Sequence, residues 1–238
     1  MTELQGLIET DRLATLSING SDSIFWDGVA NLYTSVIVWI PLILTAILLL
    51  IRNVNPKRLL FVLFMVALTV LLCDQLASSV FKPVFQRLRP TRDPFMLDLV
   101  DTVNGYRGGL YGFFSSHAAN SFGLASLFMW LVRDRWFSLS VGLWAIANSL
   151  IRTYLGVHFL GDILVGTIVG SLIGSLTYWL FLLVSRKDRE HLAVHSSTLL
   201  YTKSGFMRSD VFVFMCVLFG TCSLIMIGSC IMQGIQYL

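Results

Sequence analysis

The sequence predicts an all-α integral membrane protein: a bundle of six transmembrane helices with a short N-terminal interfacial helix and an outer loop. Three observations carry that prediction. Of the 238 residues, 55% are hydrophobic and only 13% charged, whereas a soluble domain carries roughly 25% charged residues. Six apolar segments can be laid along the chain, and Lys and Arg gather at alternate joints between them.

In chain order, residues 1–27 are polar with scattered apolar positions (Leu4, Leu7, Ile8, Leu13, Leu16). That mixture predicts a helix lying in the membrane interface. No basic stretch precedes the first apolar run, so no cleaved signal peptide is expected. Gly28 to Ile51 holds no charge over 24 residues, enough to cross a hydrocarbon core of roughly 30 Å. Leu59 to Phe81 is the second span, interrupted only by Asp74. The third starts at about His117 and ends before Arg133; the fourth runs from Trp136 to Ile151. Both are short, so their ends are expected among protein and water. Ile163 to Ser185 is the fifth, with Gly166, Gly170 and Gly174 spaced for close helix packing inside the bundle. Val211 to Leu238 is the sixth, again without charge.

No linker or repeat divides the chain. The expected organisation is a polar segment at 1–27, a catalytic membrane core at 28–185 with its outer loop at 82–116, a cytoplasmic joint at 186–210, and an additional helix at 211–238. The loop at 93–114 is too long for a bare connection and is expected to act as a lid or to select substrate.

Ten of the 17 Lys and Arg residues sit at the joints after the first, third and fifth spans (Arg52, Lys57, Arg58, Arg133, Arg135, Arg186, Lys187, Arg189, Lys203, Arg208). The positive-inside rule then puts both termini and the remaining joints on the outer face. Net charge is +3, largely in the inner joints, which suits anionic lipid and gives no reason to expect a nucleic-acid partner. Cys73, Cys216, Cys222 and Cys230 all lie inside apolar runs, which suggests neither a disulfide nor a metal site.

Three clusters of ionisable residues fall at the outer ends of the spans. Lys82 and Arg89-Pro90 spell K-x6-R-P, Ser115-Ser116-His117 follows Phe114, and Arg152, His158 and Asp162 spell R-x5-H-x3-D. Ionisable groups beside membrane spans are costly to keep, so together they read as a functional site. His158 and Asp162, four apart, share a helix face; the carboxylate can set the tautomer and leave the other ring nitrogen free as base or nucleophile. Anchoring a helix end is the plainer role for such a pair. Lys82 and Arg89 could snorkel to the interface or offer a point charge and a planar fork to phosphate. Ser115 suits an N-cap, and the same geometry receives phosphate oxygens at a helix N-terminus. Arg87 and Arg92 read as solvated or head-group contacts. Asp74 is open between a role near the site's cations and a polar contact in the bundle. His191 and His195 lack a third ligand for a metal.

On these motifs the chain resembles the type 2 phosphatidic acid phosphatase (PAP2) superfamily of membrane lipid phosphatases, whose signatures are K-x6-R-P, P-S-G-H and S-R-x5-H-x3-D. The first is complete here. The second has Phe114 for Pro and Ser116 for Gly, and the third has Ile151 for its leading Ser. The resemblance covers about residues 20–185. It implies that His158 attacks phosphorus to form a phosphohistidine, Asp162 orients it, and His117 protonates the leaving oxygen and then activates water. Lys82, Arg89, Ser115, Ser116 and Arg152 would bind the phosphate, with no metal and no cofactor.

The expected activity is therefore hydrolysis of a lipid phosphate or pyrophosphate at the outer face of a bacterial inner membrane. Three cations suit a diphosphate, which puts undecaprenyl diphosphate first and lipid A phosphate or phosphatidylglycerol phosphate behind it. A lipid transporter or binding protein is the reading from another class. The oligomeric state is not legible.

Overall fold

The computed structural model describes residues 3–20, 23–185 and 199–236. Its regular elements are helical: α1 (Glu3–Leu16), α2 (Ile24–Thr34), α3 (Ile40–Asn53), α4 (Pro56–Gln75), α5 (Lys82–Phe85), α6 (Ser116–Val132), α7 (Arg135–Tyr154), α8 (Leu160–Val184) and α9 (Arg208–Gln236). His191 and His195, and most of the joint expected at 186–210, lie outside the described residues.

Among the described residues, four stretches are long and apolar enough to cross a membrane: Val36–Asn53, Pro56–Phe85, Leu160–Val184 and Arg208–Gly234. The chain is an integral membrane protein of apolar helices. The second of these stretches joins α4 to α5 through a π-type turn at Leu76–Phe81, so the rod carries Lys82 at its end. Six spans were expected, and α6 and α7 do not qualify by length and composition alone. α6 has 17 residues, and both helices carry polar side chains turned towards neighbours, as where Asn148 donates to the Ser121 hydroxyl at 2.5 Å.

The first expected span is not one helix. The apolar run Gly28 to Ile51 breaks at Ser35, whose backbone is extended (φ −76°, ψ 121°), and restarts through a 3-10 turn at Val36–Trp39. Pro41, without an N–H, sits in the first turn of α3. Carbonyls near the break are kept satisfied: the Trp39 indole donates to Tyr33 O (2.7 Å) and the Thr34 hydroxyl to Ala30 O (3.0 Å). That is the condition for interrupting a helix in an apolar setting.

α6 lies at the centre, packed against α4, α7 and α8. Its approach to α8 is set by the glycines expected to pack there. A Cβ on Gly170 or Gly174 would fall on the carbonyl of Ala119 or Gly123, well inside van der Waals contact. The packing is within the bundle.

The polar joints sort to two ends. At one, Asp210 takes Arg52 (3.1 Å) and Asn53 (2.9 Å), Arg208 reaches Asp134 (3.4 Å), and the Ser204 hydroxyl donates to Val132 O (2.6 Å). At the other meet α1, the C-terminal ends of the α4–α5 rod and of α7, and the N-terminal ends of α6 and α8. α9, beyond the reach of the motifs, braces α2 and α3; the Ser229 hydroxyl donates to the Phe25 carbonyl. Helix α1 exposes Leu4, Leu7 and Leu13 and turns Asp11, Arg12 and Thr15 towards the protein.

Candidate active site

Three chain segments converge at the second end. The rod α4–α5 stops at Gln86 (φ 46°), which reverses the chain. The following turn is tied back by Arg89 N–H to Leu110 O (3.2 Å) and Gly112 N–H to Arg87 O (2.8 Å). Ser115 N-caps α6, its hydroxyl accepting from Ala118 N–H (3.4 Å), while its own N–H donates to Asp162 O (3.1 Å). Asp162, in the first turn of α8, closes that helix start by accepting from Phe159 N–H (3.1 Å).

His158 and Asp162 are both buried, 1% and 0% exposed, and face each other. His158 Nδ1 lies 3.6 Å from Asp162 Oδ2, just beyond hydrogen-bond length, and has no other partner. The second ring nitrogen, Nε2, lies 3.5 Å from Arg89 Nη1. Burial pushes the His158 imidazole below its ordinary value, with Arg89 and Lys82 acting in the same direction and Asp162 against it. The ring is therefore neutral at pH 7, with a lone pair to offer.

Three cations stand about the two histidines, Arg89 and Lys82 near His158 and Arg152 near His117. Arg89 donates to Tyr111 O (3.2 Å) and Val157 O (3.1 Å), which aims its fork inward. A Cβ on Gly112 would press on the Asp162 carboxylate (3.0 Å) and the Arg89 side chain (3.3 Å), so the loop passes close against both. Lys82 Nζ reaches the hydroxyls of Ser78 (3.3 Å) and Ser116 (3.4 Å). Arg152 is buried and its Nε has no hydrogen-bond partner among the described residues. Lys82, Arg89 and Arg152 have no carboxylate within ion-pair distance among the described residues. Their charges act together on the His117 ring. One buried and two half-buried cations without a counter-charge are costly to hold together, and an anion brought among them would lower that cost.

His117 opens onto a cavity of about 380 Å³ lined by Arg152, Asn31, Thr34, Asn104, Tyr106 and Leu155, among others. The structure thus brings together all eight residues singled out in the sequence. Asp74 accepts from the Ser78 hydroxyl (3.5 Å), the same hydroxyl that Lys82 reaches, so it stands near the site's cations while making no ion pair among the described residues.

Arg87 departs from expectation. It is not a solvated or head-group residue: it donates to Asp162 Oδ1 (2.9 Å) and to Asp11 Oδ2 (2.6 Å) and lies 4.1 Å over the Phe159 ring. No spacing in the sequence signals that contact. The outer loop is tied down rather than loose. Arg12 grips Asp93 with two nitrogens (2.9–3.2 Å), Asn19 holds Asp101, and the Thr91 hydroxyl donates to Arg107 O (2.9 Å).

The model of the PAP2 superfamily matches residues 58–186. The chain belongs to the PAP2 superfamily. Two curated relatives, each named lipid A 4'-phosphatase, match most of its length. That of Bacteroides thetaiotaomicron is 40% identical over 185 residues, covering 77% of this chain and 80% of its own. That of Porphyromonas gingivalis is 36% identical over 181 residues, covering 75% and 76%. No solved structure matches the chain. As a PAP2 member with these relatives, the protein is a membrane lipid-phosphate phosphatase.

Proposed function

We propose that the protein removes the 4'-phosphate of lipid A through a phosphohistidine on His158. The observation that carries the chemistry is a set of three cations without carboxylate partners among the described residues, Arg89 and Lys82 beside a buried, neutral His158 and Arg152 beside His117. His158 Nε2 attacks phosphorus in line, forming the P–N bond as the P–O bond to the sugar breaks. His117 gives the departing oxygen its proton. Water then attacks the phosphohistidine, His117 takes a proton from it, the P–N bond breaks and inorganic phosphate leaves. Lys82, Arg89 and Arg152 hold the equatorial oxygens while their charge develops, together with the amides at the start of α6. Asp162 orients the ring from the Nδ1 side. Ser115 accepts from Ala118 and keeps its own hydroxyl proton for the phosphate; Ser116 holds Lys82. No step calls on a metal or cofactor.

The charge count alone put a polyprenyl diphosphate first. The relatives' names favour lipid A instead, and three cations serve equally a single phosphoryl group passing through a five-coordinate state. The cavity beside His117 suits a sugar, since Asn31, Thr34, Asn104 and Tyr106 offer polar edges next to the phosphate pocket. We further place α6 and α7 as spans that shelter their polar faces in the bundle, making six. The Lys and Arg asymmetry puts the site on the outer face of the inner membrane.

Phosphate release by purified protein tests the proposal across lipid A, undecaprenyl diphosphate and phosphatidylglycerol phosphate, compared by kcat/KM. The expected result is a preference of at least about tenfold, or ~1.4 kcal/mol, for lipid A. A tenfold preference for undecaprenyl diphosphate would restore the earlier ranking. Lipid binding without phosphate release, unchanged in His158→Ala, would make the protein a carrier.

A further inference from the structure

The N-terminal helix α1 lies outside the matched family region, yet a chain of charged contacts runs from it to Asp162, the carboxylate that faces His158. Asp11 Oδ1 accepts from Gly161 N–H (2.8 Å), and its Oδ2 accepts from Arg87 Nη2 (2.6 Å). Arg87 Nη1 donates to Asp162 Oδ1 (2.9 Å), whose other oxygen faces His158 Nδ1 at 3.6 Å. The Arg87 plane is held flat by the Phe159 ring beneath it. Next to this chain, the Thr15 hydroxyl, fully buried, accepts from Leu160 N–H (3.0 Å).

We propose that Asp11 is a positioning residue for the phosphatase reaction, acting on His158 through Arg87 and Asp162. Asp162 has two oxygens and two tasks. One takes the Phe159 amide and faces His158; the other would be free to swing the carboxylate if nothing held it. Arg87 occupies that oxygen, and Asp11 fixes Arg87 by neutralising its second nitrogen. A guanidinium that bridges two carboxylates, one hydrogen bond to each, has little rotational freedom, so α1 sets the angle at which Asp162 presents to the imidazole. Misplacing a reacting group by about 1 Å can cost on the order of a hundredfold in rate. α1 also satisfies two free amides at the start of α8, through Thr15 and Asp11, and its Arg12 clamps the outer loop at Asp93. Removing α1's grip would loosen the nucleophile without touching any phosphate ligand.

The proposal rests on the phosphohistidine reading, and wild-type phosphate release is the control that separates the two. Kinetics of Asp11→Asn, Asp11→Glu, Arg87→Gln and the Asp11→Asn/Arg87→Gln double variant are compared with Thr15→Val, which loosens the same helix outside the charged chain. Asp11→Asn keeps an oxygen for Gly161 but cannot neutralise Arg87. It should lower kcat about tenfold with KM within about twofold, and Asp11→Glu should recover part of the loss. The double variant should be no slower than Arg87→Gln, because both break one chain. Arg87→Gln leaves Asp162 unneutralised beside His158, which favours the protonated ring, so the acid limb of kcat should move to higher pH. Thr15→Val should lower the melting temperature in detergent while kcat stays within about twofold. Three results would overturn the proposal: a normal kcat in Asp11→Asn, additive losses in the double variant, or an equal loss of kcat in Thr15→Val. An inactive wild type would instead remove the function on which it rests.

Discussion

His158 and His117, the proposed nucleophile and proton carrier, sit in opposite surroundings. His158 is sealed among Asp162, Arg89 and the α8 start; His117 opens onto the cavity. Replacing either with Ala should lower kcat by on the order of a thousandfold, about 4 kcal/mol of barrier, measured as phosphate release from the purified protein. Because burial lowers the His158 value, its neutral form persists into mildly acid solution. The rate should fall only as pH drops below the ordinary imidazole value of about 6.5; an acid limb above it would contradict the buried placement. Ser116 stands where the family signature has Gly, and its hydroxyl accepts from Lys82. Ser116→Gly should therefore stay active, with KM raised severalfold as Lys82 loosens. The eight residues were legible because fixed spacings place them at helix ends. Arg87 was not, since no spacing tells a guanidinium facing solvent from one facing a buried carboxylate, and Asp11 lies some 150 residues from the amide it caps.

Helix α8 shows how far periodicity can be read at the level of the element. Its glycines predicted close packing inside the bundle, and the carbonyls of α6 occupy the space their side chains would fill. Gly170→Val should overpack that seam by about 1–3 kcal/mol or more, lowering the melting temperature and the activity together. Gly220→Ala, on α9 where a Cβ meets nothing, should be neutral or stabilise by up to ~1 kcal/mol. A harmless Gly170→Val would mean that the two helices are not in contact there. The break at Ser35 was hidden for the converse reason. An uncharged run is read as continuous, and only the Trp39 indole meeting Tyr33 O shows how the chain can stop and restart. α6 and α7 were placed correctly along the chain, but whether a short helix with polar faces crosses the membrane depends on what shelters it.

For the molecule as a whole, the two ends differ in what their cations do. At one end Arg52 and Arg208 are paired with Asp210 and Asp134; at the other, Lys82, Arg89 and Arg152 await an anion. The proposed orientation rests on the Lys and Arg count at the joints. On a background without native cysteines, Asn104→Cys should react with an impermeant thiol reagent added outside intact cells, and Asn55→Cys should react only after lysis. The reverse pattern would face the site to the cytoplasm. The central claim is that His158 carries the phosphoryl group between substrate and water, and trapping that group tests it most directly. Rapid acid-free quenching of wild-type enzyme turning over lipid A, followed by mass spectrometry, should find phosphate on His158, stable to base and lost in acid, and absent from His158→Ala. Phosphate on another residue, or normal turnover by His158→Ala, would contradict it.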